Sequence, residues 1–228
     1  MTRKNGHLAA IVGAAIILSG CAAGGGPSAE EIRAGAEAGD PSAQAALASD
    51  YFAGRHVTQS YSEAAGWYAK AAEAGDETAQ DSLGNLYLEG LGVPKDPAKA
   101  VELYRKAAAQ GFAAAENSLG MMFELGLGVA RDMEEANQWY LKAARHGIPE
   151  SMLNLGLDYH DGAGVPRDPV EAYKWVNLAR FFTLHSSDKP MKSRIRTVLD
   201  KLKSELSKEE LEEGQERSRE WYDVYQES

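Results

Sequence analysis

The chain has 228 residues, 44% of them hydrophobic and 25% charged, which is enough to bury a core and excludes wholesale disorder. Its 24 Lys and Arg against 34 Asp and Glu give a net charge of −10, so the basic face that nucleic-acid binding requires is missing. A single cysteine excludes an intramolecular disulfide framework and any multi-thiolate metal site.

Residues 1–20 read as a targeting segment. Arg3 and Lys4 supply a positive start, and Leu8 to Leu18 is an apolar run too short to span a bilayer but suited to a secretory signal. The run ends in Leu18-Ser19-Gly20-Cys21, which resembles the lipobox of bacterial lipoproteins. That resemblance implies cleavage before Cys21, acylation of its sulfur and amino group, and palmitate-type anchoring. Several acyl chains hold a protein on a membrane where one binds only reversibly. Ala22, rather than Asp, after the cysteine implies sorting to the outer membrane, facing the periplasm. The alternative is an ordinary signal peptide with an incidental cysteine. Residues 21–28 then form a flexible tether rich in Gly and Ala.

From residue 39 a repeat of 36 residues runs without insertion. Gly39, Gly75, Gly111 and Gly147 keep that spacing, as do Leu47, Leu83, Leu119 and Leu155, and Ala64, Ala100, Ala136 and Ala172. Each copy reads as two helices. In the second copy, Ala79, Leu83 and Tyr87 form an apolar stripe at helical spacing over 77–89, and Gly90 stops it. Asp96-Pro97 then opens the second helix, with Asp132 and Asp168 in the same phase. In the first copy Ser60 and Glu63 form an expected capping box. The expected division is 39–74, 75–110, 111–146 and 147–182.

The run Leu83-Gly84-x-x-Tyr87-x-x-Gly90-x-Gly92-Val93-x-x-Asp96, followed by Ala100, Tyr104, Lys106-Ala107-Ala108 and Gly111, resembles the Sel1-like repeat family, relatives of tetratricopeptide repeats. The resemblance implies an all-α fold, an α-solenoid of helix–turn–helix units that serves protein–protein interaction. The first copy departs at Arg55-His56-Val57, and the fourth ends in Asn177 to Phe182 without its glycine.

Both ends read as caps, which solenoids need to cover exposed apolar faces. Residues 29–38 form a half-repeat with Ile32 in phase with Tyr68. Residues 183–228 form a helical C-terminal cap. Within it, 192–203 is a basic amphipathic helix, and Ser207 and Glu210 box the start of an acidic one. A docking tail for a basic partner is the alternative reading of this segment.

Reaction chemistry is hard to find. His56, His146, His160 and His185 lack metal-ligand spacing, and the Gly-x-Gly turns follow no strand. No cofactor, metal or catalytic residue is expected. Trp67, Trp139 and Trp175 share one phase and read as packing residues. The expectation is therefore a non-enzymatic, membrane-anchored scaffold of the bacterial envelope that binds a protein or envelope polymer. The alternative is a cell-wall-directed enzyme of the penicillin-binding or hydrolysing Sel1-like type, although such proteins are cysteine-rich and this chain is not. If the copies stack as tetratricopeptide repeats do, the groove receives Asp81 and Asn85, then Asn117, Met121, Glu124 and Leu125, then Leu153, Leu157 and His160. This surface turns from polar to apolar along the chain. Burial of the apolar members under the C-terminal cap is the competing expectation.

Overall fold

The computed structural model describes residues 27–227. The expected leader, the expected lipidation site Cys21 and the expected tether as far as residue 26 lie outside the described residues. Within them the chain is all-α, with no strand. The helices are α1 (Ala29–Glu37), α2 (Pro41–Ala53), α3 (Tyr61–Glu73), α4 (Glu77–Glu89), α5 (Pro97–Ala108), α6 (Ala113–Leu125), α7 (Met133–Arg145), α8 (Pro149–Asp161), α9 (Pro169–Phe182), α10 (Lys189–Glu205) and α11 (Lys208–Glu227). The fold is an α-solenoid of paired helices. α4 coincides with the helix expected over 77–89, and α5 starts at Pro97 as the Asp-Pro signal requires.

Two compact units divide the chain, residues 1–107 and 108–228. In the first, α1 packs on α2, α2 on α3 and α3 on α4 around Ala48, Tyr68, Leu83 and Leu86. In the second, α6 to α9 pack in sequence, and α10 and α11 both lie on α9. Its core joins Tyr140, Met152, Leu155, Trp175 and Val176 to Ile195, Leu199 and Leu202 of α10.

A glycine sets the spacing of the two helices in a repeat. A Cβ on Gly84 would lie 2.6 Å from Tyr104 Cε1, and one on Gly120 only 2.5 Å from Tyr140 Cδ1. The ring therefore occupies the space a side chain would need. A second contact joins successive repeats. Gly92 and Gly164 adopt φ of 70°, and a Cβ there would fall 2.3 Å from the Tyr61 backbone and 2.4 Å from that of Met133. Only glycine fits both the left-handed backbone and the close approach.

His56 holds the register of Gly92 and Gly164 in the first repeat, and it adopts φ 61° with a full side chain. The helix it would meet is α1, which begins at Ala29, four positions later in the repeat than α3 does at Tyr61. His56 Nδ1 lies 3.1 Å from Asp50 Oδ2.

The expected capping box at Ser60 forms only in half. Ser60 Oγ accepts from Glu63 N–H, but the Ser60 N–H donates to the Tyr51 carbonyl, so no donor is left for Glu63 to satisfy. At Ser207 both halves form, with Ser207 N–H donating to Glu210 Oε2 at 2.8 Å. Arg217 fastens α11 to the start of α9 by reaching Glu171 and Asp168 while also pairing with Glu213. Trp67 and Trp139 lie less deep than Trp175, and Trp67 packs against the core as expected. Both are half-buried, with Lys70 and Lys142 each 3.7 Å over their rings, and Trp175 alone of the three is core.

Gly120→Ala should destabilise the fold by about 1–3 kcal/mol in urea titration, the usual cost of overpacking, because the Tyr140 ring is enclosed. Deleting 190–228 should lower the melting temperature and cause aggregation, since it strips α10 and α11 from Trp175 and Leu153. An unchanged melting temperature in the truncated chain would show that the segment is not a cap.

Candidate interaction surface

The residues expected in the groove divide by a simple physical criterion, namely whether the fold already uses them. Asp81 is 7% exposed; its Oδ2 accepts from Asn85 Nδ2 at 3.2 Å, and its Oδ1 is buried without a partner. Asn85 in turn accepts the Tyr104 hydroxyl at 2.8 Å. Glu124 is buried and accepts the Tyr140 hydroxyl at 2.7 Å. Asn117 is half-buried and accepts the Ser151 hydroxyl at 2.7 Å. These polar groups satisfy inner tyrosines and neighbouring helices before any partner arrives.

Three expectations of open groove positions are therefore corrected. Asp81 and Glu124 are buried because the tyrosine-centred networks draw them inward. Leu153 is 1% exposed and belongs to the core with Met191, Ile195 and Leu199 of α10. The competing expectation of burial under the cap is met at Leu153 and not at Met121, Leu125 or Leu157.

Met121 and Leu157 remain half-buried, and Leu125 is 40% exposed. His160 bridges two elements. Its Nδ1 lies 2.6 Å from Asp161 Oδ1 and its Nε2 lies 2.9 Å from Glu205 Oε2 at the end of α10. The hydrogen bond from His160 holds the Glu205 carboxyl below its ordinary range. Burial drives other carboxyls the opposite way. Asp81 is pushed up to about 7 by desolvation, which its bond from Asn85 only partly offsets. Glu116 is raised for the same reason, with His146 Nε2 at 3.7 Å too distant to cancel it.

The sequence reading missed a crevice between α8 and α10. It is a cavity of 410 Å³ whose floor is Leu153, Leu157 and Val198. Pro190, Ser193, Arg194 and Thr197 line it from α10. The amphipathic pattern of 192–203 was visible in the sequence, but no local signal indicates that this helix lies along α8. Among the described residues no group of three His, Cys, Asp or Glu is placed to hold a metal ion, and no helix is long and apolar enough to cross a membrane.

Four stretches of the chain, 41–76, 78–112, 113–148 and 149–179, match the Sel1 repeat. The chain belongs to the Sel1 repeat family. Proteins of this family generally act as protein–protein interaction scaffolds and are typically non-catalytic. The structure resembles that of c5321, a protective antigen present in uropathogenic Escherichia coli strains that displays an SLR fold. The likeness has a TM-score of 0.66 and 31% identity over 87% of this chain and 48% of that one. The chain thus spans about half the length of c5321. It also resembles a Sel1 repeat protein from Oxalobacter formigenes, with TM-score 0.59 and 30% identity over 82% of this chain and 87% of that one. A Sel1 repeat protein from Klebsiella pneumoniae shares the fold, at TM-score 0.53 and 24% identity over 82% and 97% of the two chains. No curated protein matches the chain.

The raised pKa of Asp81 gives the stability of the chain a defined pH dependence. The folded protein keeps this proton up to about pH 7, whereas an unfolded Asp releases it near 4. Between these values the folded state binds more protons, so the contribution of Asp81 to stability falls as pH rises. Asp81→Asn should therefore exceed wild type by on the order of 3 kcal/mol at pH 8 in urea titration, and the difference should vanish near pH 4. A difference that does not vary with pH would mean that Asp81 is ionised in the folded protein at neutral pH.

Proposed function

We propose that this Sel1 repeat protein is an envelope scaffold, held on the outer membrane through lipidated Cys21, that captures a protein partner on the apolar positions its repeats leave open. The observation that carries this reading is the run of four in-phase Sel1 repeats, whose family generally works by protein–protein interaction. Supporting it, the polar positions Asp81, Asn85 and Glu124 are occupied in holding the fold, whereas Met121 and Leu125 on α6 still offer apolar surface to water. Apolar side chains retained at the surface of a repeat are suited to anchoring a partner. The lipobox-like Leu18-Ser19-Gly20-Cys21 supports the anchor.

Two measurements test the reading. Labelled palmitate should enter the protein, and Cys21→Ser should block labelling and leave uncleaved precursor. Normal cleavage of that variant to a soluble product would remove the anchor from the proposal. Chemical crosslinking in native envelopes should capture a defined protein. Capture should be lost in the Met121→Glu, Leu125→Glu double variant while the melting temperature changes little. Capture unaffected by the double variant would place the partner elsewhere.

A further inference from the structure

We propose that the crevice between α8 and α10 is a docking site for an acidic segment of a protein partner, which inserts an aliphatic side chain over Leu157 and Val198. The inference rests on the scaffold reading and names the chemistry of a partner. α8 belongs to the fourth repeat and α10 lies outside the repeats, so the site combines the last repeat with this chain's own cap.

Three observations converge. First, α10 and α8 are joined below and at one end but not sealed along their length. Met191, Ile195, Leu199 and Leu202 are core residues, and Glu205 is held to His160 at 2.9 Å. Between these attachments a cavity of 410 Å³ stays open, with Leu157 and Val198 half-buried on its floor. A preformed apolar recess calls for an apolar side chain, because filling it removes surface from water at little ordering cost.

Second, the wall carries one cation, Arg194, on a helix that is basic within an acidic chain. Residues 188–203 carry six Lys or Arg and two Asp, against a net charge of −10 for the whole. Arg194 lines the crevice and is exposed, and among the described residues it has no carboxylate partner. Lys201, two turns further on the same face, lies 3.9 Å from Glu205 and is 59% exposed in its side chain. These cations would attract carboxylates and repel a basic ligand.

Third, the wall is set up for hydrogen bonding. Ser193 stands beside Arg194, and its hydroxyl can donate to a carboxylate that the guanidinium draws in, whereas Thr197 already donates its hydroxyl proton to the Ser193 carbonyl at 3.0 Å. The acidic charge and the aliphatic side chain would thus be read within one recess. A flat anionic membrane would meet the exposed cations but would leave the Leu157 floor empty.

The test uses the detergent-solubilised full chain and three fluorescein-labelled peptides of about twelve residues, built from Glu and Leu, Lys and Leu, or Glu and Ser. By anisotropy the Glu–Leu peptide should bind at 1:1, at least tenfold more tightly than either of the others, and should weaken as salt rises. Arg194→Glu should weaken it at least tenfold with an unchanged melting temperature, and methyl NMR signals of Leu157 and Val198 should shift on binding. Equal affinity for the Lys–Leu peptide, or indifference to Arg194→Glu, would overturn the proposal. So would binding only to anionic phosphatidylglycerol vesicles, or self-association that Arg194→Glu abolishes, which would make the occupant a bilayer or a second copy. The scaffold reading fails separately, through absent capture in envelopes, because that capture is assigned to Met121 and Leu125 rather than to this crevice.

Discussion

The contact between a glycine on the first helix of a repeat and a ring on the second governs how closely each pair can pack. At Gly84 and Gly120 the missing Cβ is replaced by Tyr104 and Tyr140, both fully buried. The first repeat uses Ala48 against Tyr68, and both are buried. The fourth pairs Gly156 with Val176, whose Cγ2 would lie 2.3 Å from an added Cβ, with the Ala172 carbonyl at 3.1 Å. Tightly packed interiors tolerate such a volume change poorly, so the spacing follows from one residue choice per helix.

A buried tyrosine brings a hydroxyl that must be satisfied, and that requirement shapes the surface. Burial pushes the Tyr68 hydroxyl up, with Ser82 and Ser49 partly offsetting it, and Tyr104 donates to Asn85, which holds the register of Ser49. In the third repeat that register is Met121, which can serve only as a weak acceptor, and Tyr140 turns to Glu124. In the fourth, Val176 has no hydroxyl, and the register is Leu157. The shift from Ser and Asn to Met and Leu along the chain thus tracks where the inner hydroxyl finds its partner. Apolar residues become available for binding where the tyrosine no longer needs a polar neighbour there.

Most of the fold could be read from the sequence because it is local. The 36-residue spacing, the glycine stops and the Asp-Pro starts each act within a few residues, and the helices follow them. The candidate surface was less legible, since spacing gives direction on a helix but not what lies opposite. Asp81 and Glu124 sit at groove positions by phase, yet hydrogen bonds to residues 4 and 16 positions away, Asn85 and Tyr140, fold them into the interior. Leu153 required knowledge of where α10 lands. That placement is a tertiary outcome with no motif of its own.

The end of the repeat is where regular packing gives way. α9 loses the closing glycine and buries Trp175, Val176 and Leu178 on a helix that must be covered by more than α8. A fifth repeat would supply one first helix in register. Instead two helices divide the task. α11 approaches through Gly214, where a Cβ would lie 2.8 Å from Tyr173, while α10 brings Ile195, Leu199 and Leu202 into the core. α10 leaves a crevice open against α8. The 410 Å³ crevice is the residue of that irregular fit, and the basic charge on its α10 wall lies outside the repeat pattern. A cap required only for stability could be sealed and neutral; this one leaves an apolar floor open beside a guanidinium with no carboxylate partner among the described residues.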